Sequence, residues 1–154
     1  MERKKLKNMK KLILVRHGKA APYAETDFSR PLLPSGREKV LSTAHCLITQ
    51  NIKPDLFLAS PLLRAQQTAQ IIAQVLQIPF QTEDYLDGRL SAKGLWDLAQ
   101  RHLQEKDCLL MVGHNPNISI LAGFLCHEYI AFEPGQYMIF DVTDFSNPQF
   151  VAGA

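Results

Sequence analysis

In Lys11-Leu12-Ile13-Leu14-Val15-Arg16-His17-Gly18 a β-rich apolar run breaks off abruptly into Arg-His-Gly. The run reads as a buried strand. Gly18 then allows a sharp turn and a close backbone approach to a ligand. An imidazole and a guanidinium are expected at the carboxyl end of a central strand, where open α/β sheets keep their ligands. Two later stretches repeat the pattern. Leu56-Phe57-Leu58-Ala59 leads through Ser60-Pro61-Leu62-Leu63 to Arg64, and Leu109-Leu110-Met111-Val112 ends in Gly113-His114. If these strands are parallel neighbours, two arginines and two histidines meet at one edge of a sheet. Such a pocket suits a dianion, because arginine's planar fork matches phosphate oxygens and the bonds are charge-assisted. The start of the helix near Arg64 adds N–H groups for the same anion.

The intervening segments support that arrangement. A loop from Lys19 to Leu33 is broken by Pro22 and Pro31. Ser35, with Glu38 three residues on, fits a capping box before the helical face Val40, Leu41, Ala44, Leu47 and Ile48. Ile71, Ile72, Val75 and Leu76 mark a second helix, and Ile78 to Thr82 a short edge-like strand. Glu83 to Leu90 reads as polar and irregular. Leu95, Trp96, Leu98, Ala99 and Leu103 predict a third helix, and Ile118, Leu121, Ala122 and Leu125 a fourth. Gln136 to Val142 is expected as the last strand, with a frayed tail after Asp144. This alternation predicts an α/β domain, a three-layer α/β/α sandwich with a largely parallel central sheet.

With 154 residues, 46% of them apolar and 21% charged, the chain has the size and composition of one globular domain. No apolar run is long enough to span a bilayer, and the four apolar residues before Arg16 are too few for a signal-peptide core. A cytoplasmic protein is expected. Cys46, Cys108 and Cys126 show no metal-like pairing and are expected as reduced, mostly buried thiols. The net charge of +2 conceals an asymmetry, because six basic residues and one acid fall within Met1–Lys11, leaving the remainder at −3. Residues 1–10 are read as a disordered, solvating basic arm, although such an arm could touch nucleic acid or an anionic surface, and 11–154 as a single domain. No phosphate-binding Gly-rich loop or dinucleotide fingerprint occurs, which argues against a nucleotide or dinucleotide cofactor, and no His or Cys pair stands at metal-ligand spacing. His45, His102 and His127 are read as packed or surface histidines, and Arg37 and Arg101 as solvated charges. The same reading fails for Arg16, His17, Arg64 and His114, which would repel one another at a single edge without an anion among them.

Three stretches resemble the histidine phosphatase superfamily, which has the phosphoglycerate-mutase-like fold: Val15-Arg16-His17-Gly18, Ala59-Ser60-Pro61-Leu62-Leu63-Arg64-Ala65-Gln66-Gln67-Thr68-Ala69, and Val112-Gly113-His114-Asn115-Pro116. Arg30-Pro31-Leu32, the following Gly36 and the Gly-His-Asn-Pro form are most similar to the small phosphohistidine phosphatases of the SixA type. The resemblance implies that neutral His17 attacks phosphorus and becomes phosphohistidine, with catalytic support from Arg16, Arg64 and His114 and with no metal or cofactor needed. It implies a phosphate-binding set of Arg16, Gly18, Arg30, Arg64, His114 and Asn115. It also implies a partner protein bearing phosphohistidine on a phosphotransfer or phosphocarrier domain, with no nucleic acid or membrane involved. Two positions depart from the family pattern. Leu33 stands where many members have a helix-capping Thr, and Ser35 is expected to take over the cap. The general acid of mutase-like members has no clear counterpart, so Glu83, Asp84 and Asp87 all remain open. A small-molecule phosphomonoesterase and a phosphate-binding module without turnover are the alternative readings.

Overall fold

Leu12, Ile13, Leu14 and Val15 have no exposed surface, and strand alternation sends them to two different cores. Leu12 and Leu14 face one apolar layer, Ile13 and Val15 the other. The computed structural model describes residues 9–154. Its elements in chain order are β1 (Lys11–Arg16), α1 (Pro34–Thr49), β2 (Leu56–Ala59), α2 (Leu63–Leu76), β3 (Gln81–Thr82), α3 (Ala92–Leu103), β4 (Cys108–Gly113), α4 (Asn117–Cys126), β5 (Tyr137–Asp141) and β6 (Gln149–Gly153). They form one sheet of order β3-β2-β4-β1-β5-β6. Helices α1 and α2 cover the Ile13/Val15 face, and α3 and α4 cover the other.

The sheet is mixed but parallel where it matters for the site. β4 lies between β1 and β2 and runs parallel to both, pairing Val15 and Ala59 with Val112. All three predicted motifs therefore leave the same edge side by side. β3 extends the parallel half, while β5 and β6 are antiparallel. Among the described residues, no helix is long and apolar enough to cross a membrane. Cys108 is buried and Cys46 and Cys126 are half-buried, all three as free thiols.

The structure corrects three local expectations. Ser35 does not cap α1: Leu33 occupies the N-cap position without a side-chain bond, and Pro34 opens the first turn. Proline's fixed φ starts the helix before Ser35 is reached. The tail after Asp144 is not frayed, because Asp144 accepts the Ser146 amide at 3.0 Å and makes a turn into β6. The Phe150 ring on β6 then meets Phe140 edge-on at 6.1 Å. The Glu83–Leu90 stretch, read as irregular, contains a 3-10 turn over Asp84–Leu86. Most of the basic arm expected over residues 1–10 lies outside the described residues. Lys10 is tied into the fold, its amide to Thr143 at 2.9 Å and its ammonium to Asp107 at 3.2 Å.

Candidate active site

His17 emerges directly from β1, and its amide donates to the Gly113 carbonyl of β4 at 3.1 Å. Its ring Nδ1 lies 2.7 Å from the Gly18 carbonyl. A carbonyl only accepts, so Nδ1 carries the proton and Nε2 keeps its lone pair. Burial pushes the imidazole pKa down to about 3, and His114, Arg64 and Arg16 add to the push against the pull of the Gly18 carbonyl. His17 is therefore neutral near pH 7.

His114 follows β4, and its ring centroid lies 5.0 Å from that of His17. Burial, with Arg64 and then Arg16 assisting, lowers its pKa to about 4. Its Nε2 sits 2.6 Å from the Ser60 hydroxyl at the end of β2. Arg16 donates through one terminal nitrogen to the Phe132 carbonyl at 2.8 Å. Arg64, in the first turn of α2, donates to the Asp27 carbonyl at 2.8 Å and to its carboxylate at 3.3 Å. Three buried side-chain nitrogens remain without a partner among the described residues: Arg16 Nε, Arg64 Nε and His114 Nδ1. Leaving buried polar atoms unpaired costs free energy, and here all three belong to the predicted set. The side chains that carry them line a cleft of about 430 Å³ together with His17. The arrangement sets a neutral imidazole with a free Nε2 in a cleft lined by two guanidiniums and a second imidazole, a set of groups suited to a phosphoryl group.

The other predicted residues differ in placement. Arg30 lines the cleft, with Nε and one terminal nitrogen both 2.9 Å from the Asp27 carboxylate. Asn115 also lines it, but its Nδ2 donates to Phe132 at 3.1 Å and its Oδ1 accepts from Ser119 at 2.6 Å. Gly18 does not line the cleft, and its amide donates to Thr68 Oγ1 at 3.0 Å. The missing side chain leaves room for the protein itself, since a Cβ there would meet Val40 at 2.8 Å and the Gly36 carbonyl at 3.0 Å. Of the three open carboxylates, Glu83 caps the 3-10 turn through the Tyr85 amide, and Asp84 is exposed within that turn. Asp87 reaches the cleft, where it pairs with Arg89 Nε at 3.2 Å. His45, His102, His127, Arg37 and Arg101 lie outside the cleft.

Asp27, Ser60 and Thr68 enter the site without having been assigned a role from sequence. Asp27 binds both Arg30 and Arg64; partial desolvation opposes its ionisation, but the two guanidiniums hold its carboxyl below the usual range. Its sequence signal is Thr26-Asp27-Phe28-Ser29, a capping box that folds the 3-10 turn beneath it. Thr68 lies one turn after Arg64, donates to the Arg64 carbonyl at 2.7 Å, and so links that helix to Gly18.

The sequence pattern of the histidine phosphatase superfamily (branch 1) matches residues 12–90. Phosphohistidine phosphatase SixA of Escherichia coli is 30% identical over 120 residues, covering 75% of this chain and 73% of that one. The mitochondrial serine/threonine-protein phosphatase Pgam5 of Drosophila simulans is 37% identical over 83 residues, and the chain spans only 28% of that protein's length. In three dimensions, the structure of the protein histidine phosphatase SixA complexed with tungstate is similar at a TM-score of 0.85, covering 93% of this chain and 95% of that one at 24% identity. This likeness shows the shared fold.

Proposed function

The chain belongs to the histidine phosphatase superfamily and is a phosphatase, and from that premise we propose that it hydrolyses phosphohistidine on a partner protein through a phosphohistidine formed on its own His17. The observation that carries the reading is the free Nε2 of neutral His17 in a cleft it shares with Arg16, Arg64 and His114, whose three buried nitrogens have no partner among the described residues. Nε2 attacks phosphorus in line, and the bond from phosphorus to the partner's imidazole nitrogen breaks. Arg16, Arg64 and His114 hold the equatorial oxygens and take up the developing charge. Water then attacks the phosphoenzyme, orthophosphate leaves, and the electron pair of the broken bond returns to Nε2. Arg30 acts with Asp27 to hold Arg64 in place, and Asn115 frames the wall.

Two features support phosphohistidine over a phosphate ester. An alkoxide leaving group depends on a proton donor more than an imidazole does. The two carboxylates that line the cleft, Asp27 and Asp87, are each paired with arginine. Between α2 and β4 the chain holds β3, a 3-10 turn and α3, and α3 buries its apolar face against the sheet. The mouth is therefore open to a side chain presented by another protein. The E. coli relative carries the name of the same activity.

The test offers the enzyme a phosphohistidine-bearing phosphocarrier protein alongside a panel of phosphate esters. A higher kcat/KM on the protein is the expected result. Faster turnover of sugar phosphates would favour the small-molecule reading, and phosphate binding without phosphoenzyme formation would favour a binding module.

A further inference from the structure

Ser60 is fully buried at the end of β2. Its Oγ has two neighbours. The Leu62 amide donates to it at 3.2 Å, and His114 Nε2 lies 2.6 Å away. A serine hydroxyl has one proton to give and lone pairs to receive. The amide is itself a donor and occupies one lone pair, so among the neighbours of Oγ only Nε2 can accept the hydroxyl proton. From this inventory we propose that Ser60 is a positioning residue whose hydroxyl donates to Nε2, holding neutral His114 as the Nδ1–H tautomer with that hydrogen directed at the phosphoryl oxygens.

The reverse arrangement has two costs. With Nε2–H donating to Ser60, the buried serine proton has no acceptor. Nδ1 then turns a lone pair toward the anion. In the proposed tautomer, Arg16 Nε, Arg64 Nε and His114 Nδ1, the three buried side-chain nitrogens without a partner among the described residues, are all donors and suit the same anion. The Gln66 side-chain amide donates a hydrogen bond to the Ser60 carbonyl at 2.7 Å and fixes the backbone from which the hydroxyl acts. Through this bond β2 contributes to the chemistry without touching the substrate.

The inference rests on the reading of His114 as a phosphoryl contact, and the experiment separates the two. Long-range proton–nitrogen NMR on histidine-labelled protein near neutral pH reads the tautomer without turnover. His114 should be protonated at Nδ1 and bare at Nε2, and inorganic phosphate should shift the Nδ1 signal. Ser60→Ala should populate the other tautomer and lower kcat about ten- to a hundredfold with KM little changed, while Ser60→Thr restores both. A wild-type His114 protonated at Nε2 overturns the proposal, and that result needs no variant to fold. Wild-type kcat in Ser60→Ala also overturns it, because the hydroxyl would then control no tautomer that matters to the reaction. A wrong substrate class would leave the NMR assignment standing.

Discussion

Two neutral histidines with ring centroids 5.0 Å apart make the site sensitive to acid in a direction that can be worked out. In the unfolded chain each titrates near the ordinary value of about 6.5. In the folded chain the values are about 3 for His17 and about 4 for His114. Between those limits the unfolded state binds more protons, so this contribution to stability is complete above about pH 6.5 and is lost as the pH falls toward the folded values. Calorimetry should show Tm falling on acidification through this window, with a shallower slope in His17→Asn. His17 protonation should leave kcat/KM flat from mildly acidic to neutral pH. Arg64→Ala removes a donor from the transition state and should cost about 10²–10³ in kcat, and Arg64→Lys should recover only part because the planar fork is lost. Steady-state kinetics on the same phosphohistidine protein checks both. Arg16, His17, Arg64 and His114 were legible because each ends or directly follows a buried strand or lies in the first turn of the next helix. Asp27, Ser60 and Thr68 were not, because their roles lie in bonds that span 37, 54 and 50 residues of sequence. No local pattern encodes such bonds.

The strands and helices themselves were largely legible, since each buries a periodic apolar face. The errors fell where a single local bond or a short antiparallel pairing decides the outcome. Pro34 displaced Ser35 as the start of α1, and β6 owes its order to the turn at Asp144 and to β5. One element contact carries a clear prediction. A Cβ on Gly36, in the first turns of α1, would lie 2.2 Å from the Lys19 carbonyl oxygen. That oxygen also accepts the Leu33 amide at 2.9 Å, so it cannot yield without loosening the entry to the helix. Gly36→Ala should therefore destabilise the fold by about 1–3 kcal/mol in denaturant titration. Because Lys19 follows Gly18 and lines the cleft, activity should fall at temperatures where the variant is still folded.

For the whole molecule, the open mouth and the paired carboxylates make a joint prediction. Glu83→Gln, Asp84→Asn and Asp87→Asn should each leave phosphohistidine hydrolysis within about tenfold of wild type, a barrier change of roughly 1.4 kcal/mol or less. Loss of activity on both phosphohistidine and ester substrates in any one of them would identify a true general acid and move the small-molecule reading ahead. The strand order has a consequence for how the enzyme comes into being. β1 leads into the proposed nucleophile, His17, and comes first in the sequence, yet its neighbours β4 and β5 begin only at Cys108 and Tyr137. On the ribosome His17 leaves the exit tunnel long before anything that can pair with its strand, and such distant pairings form late. Until Tyr137–Asp141 has emerged β1 can be enclosed on one side only, so nascent chains that end before Tyr137 should show no phosphatase activity.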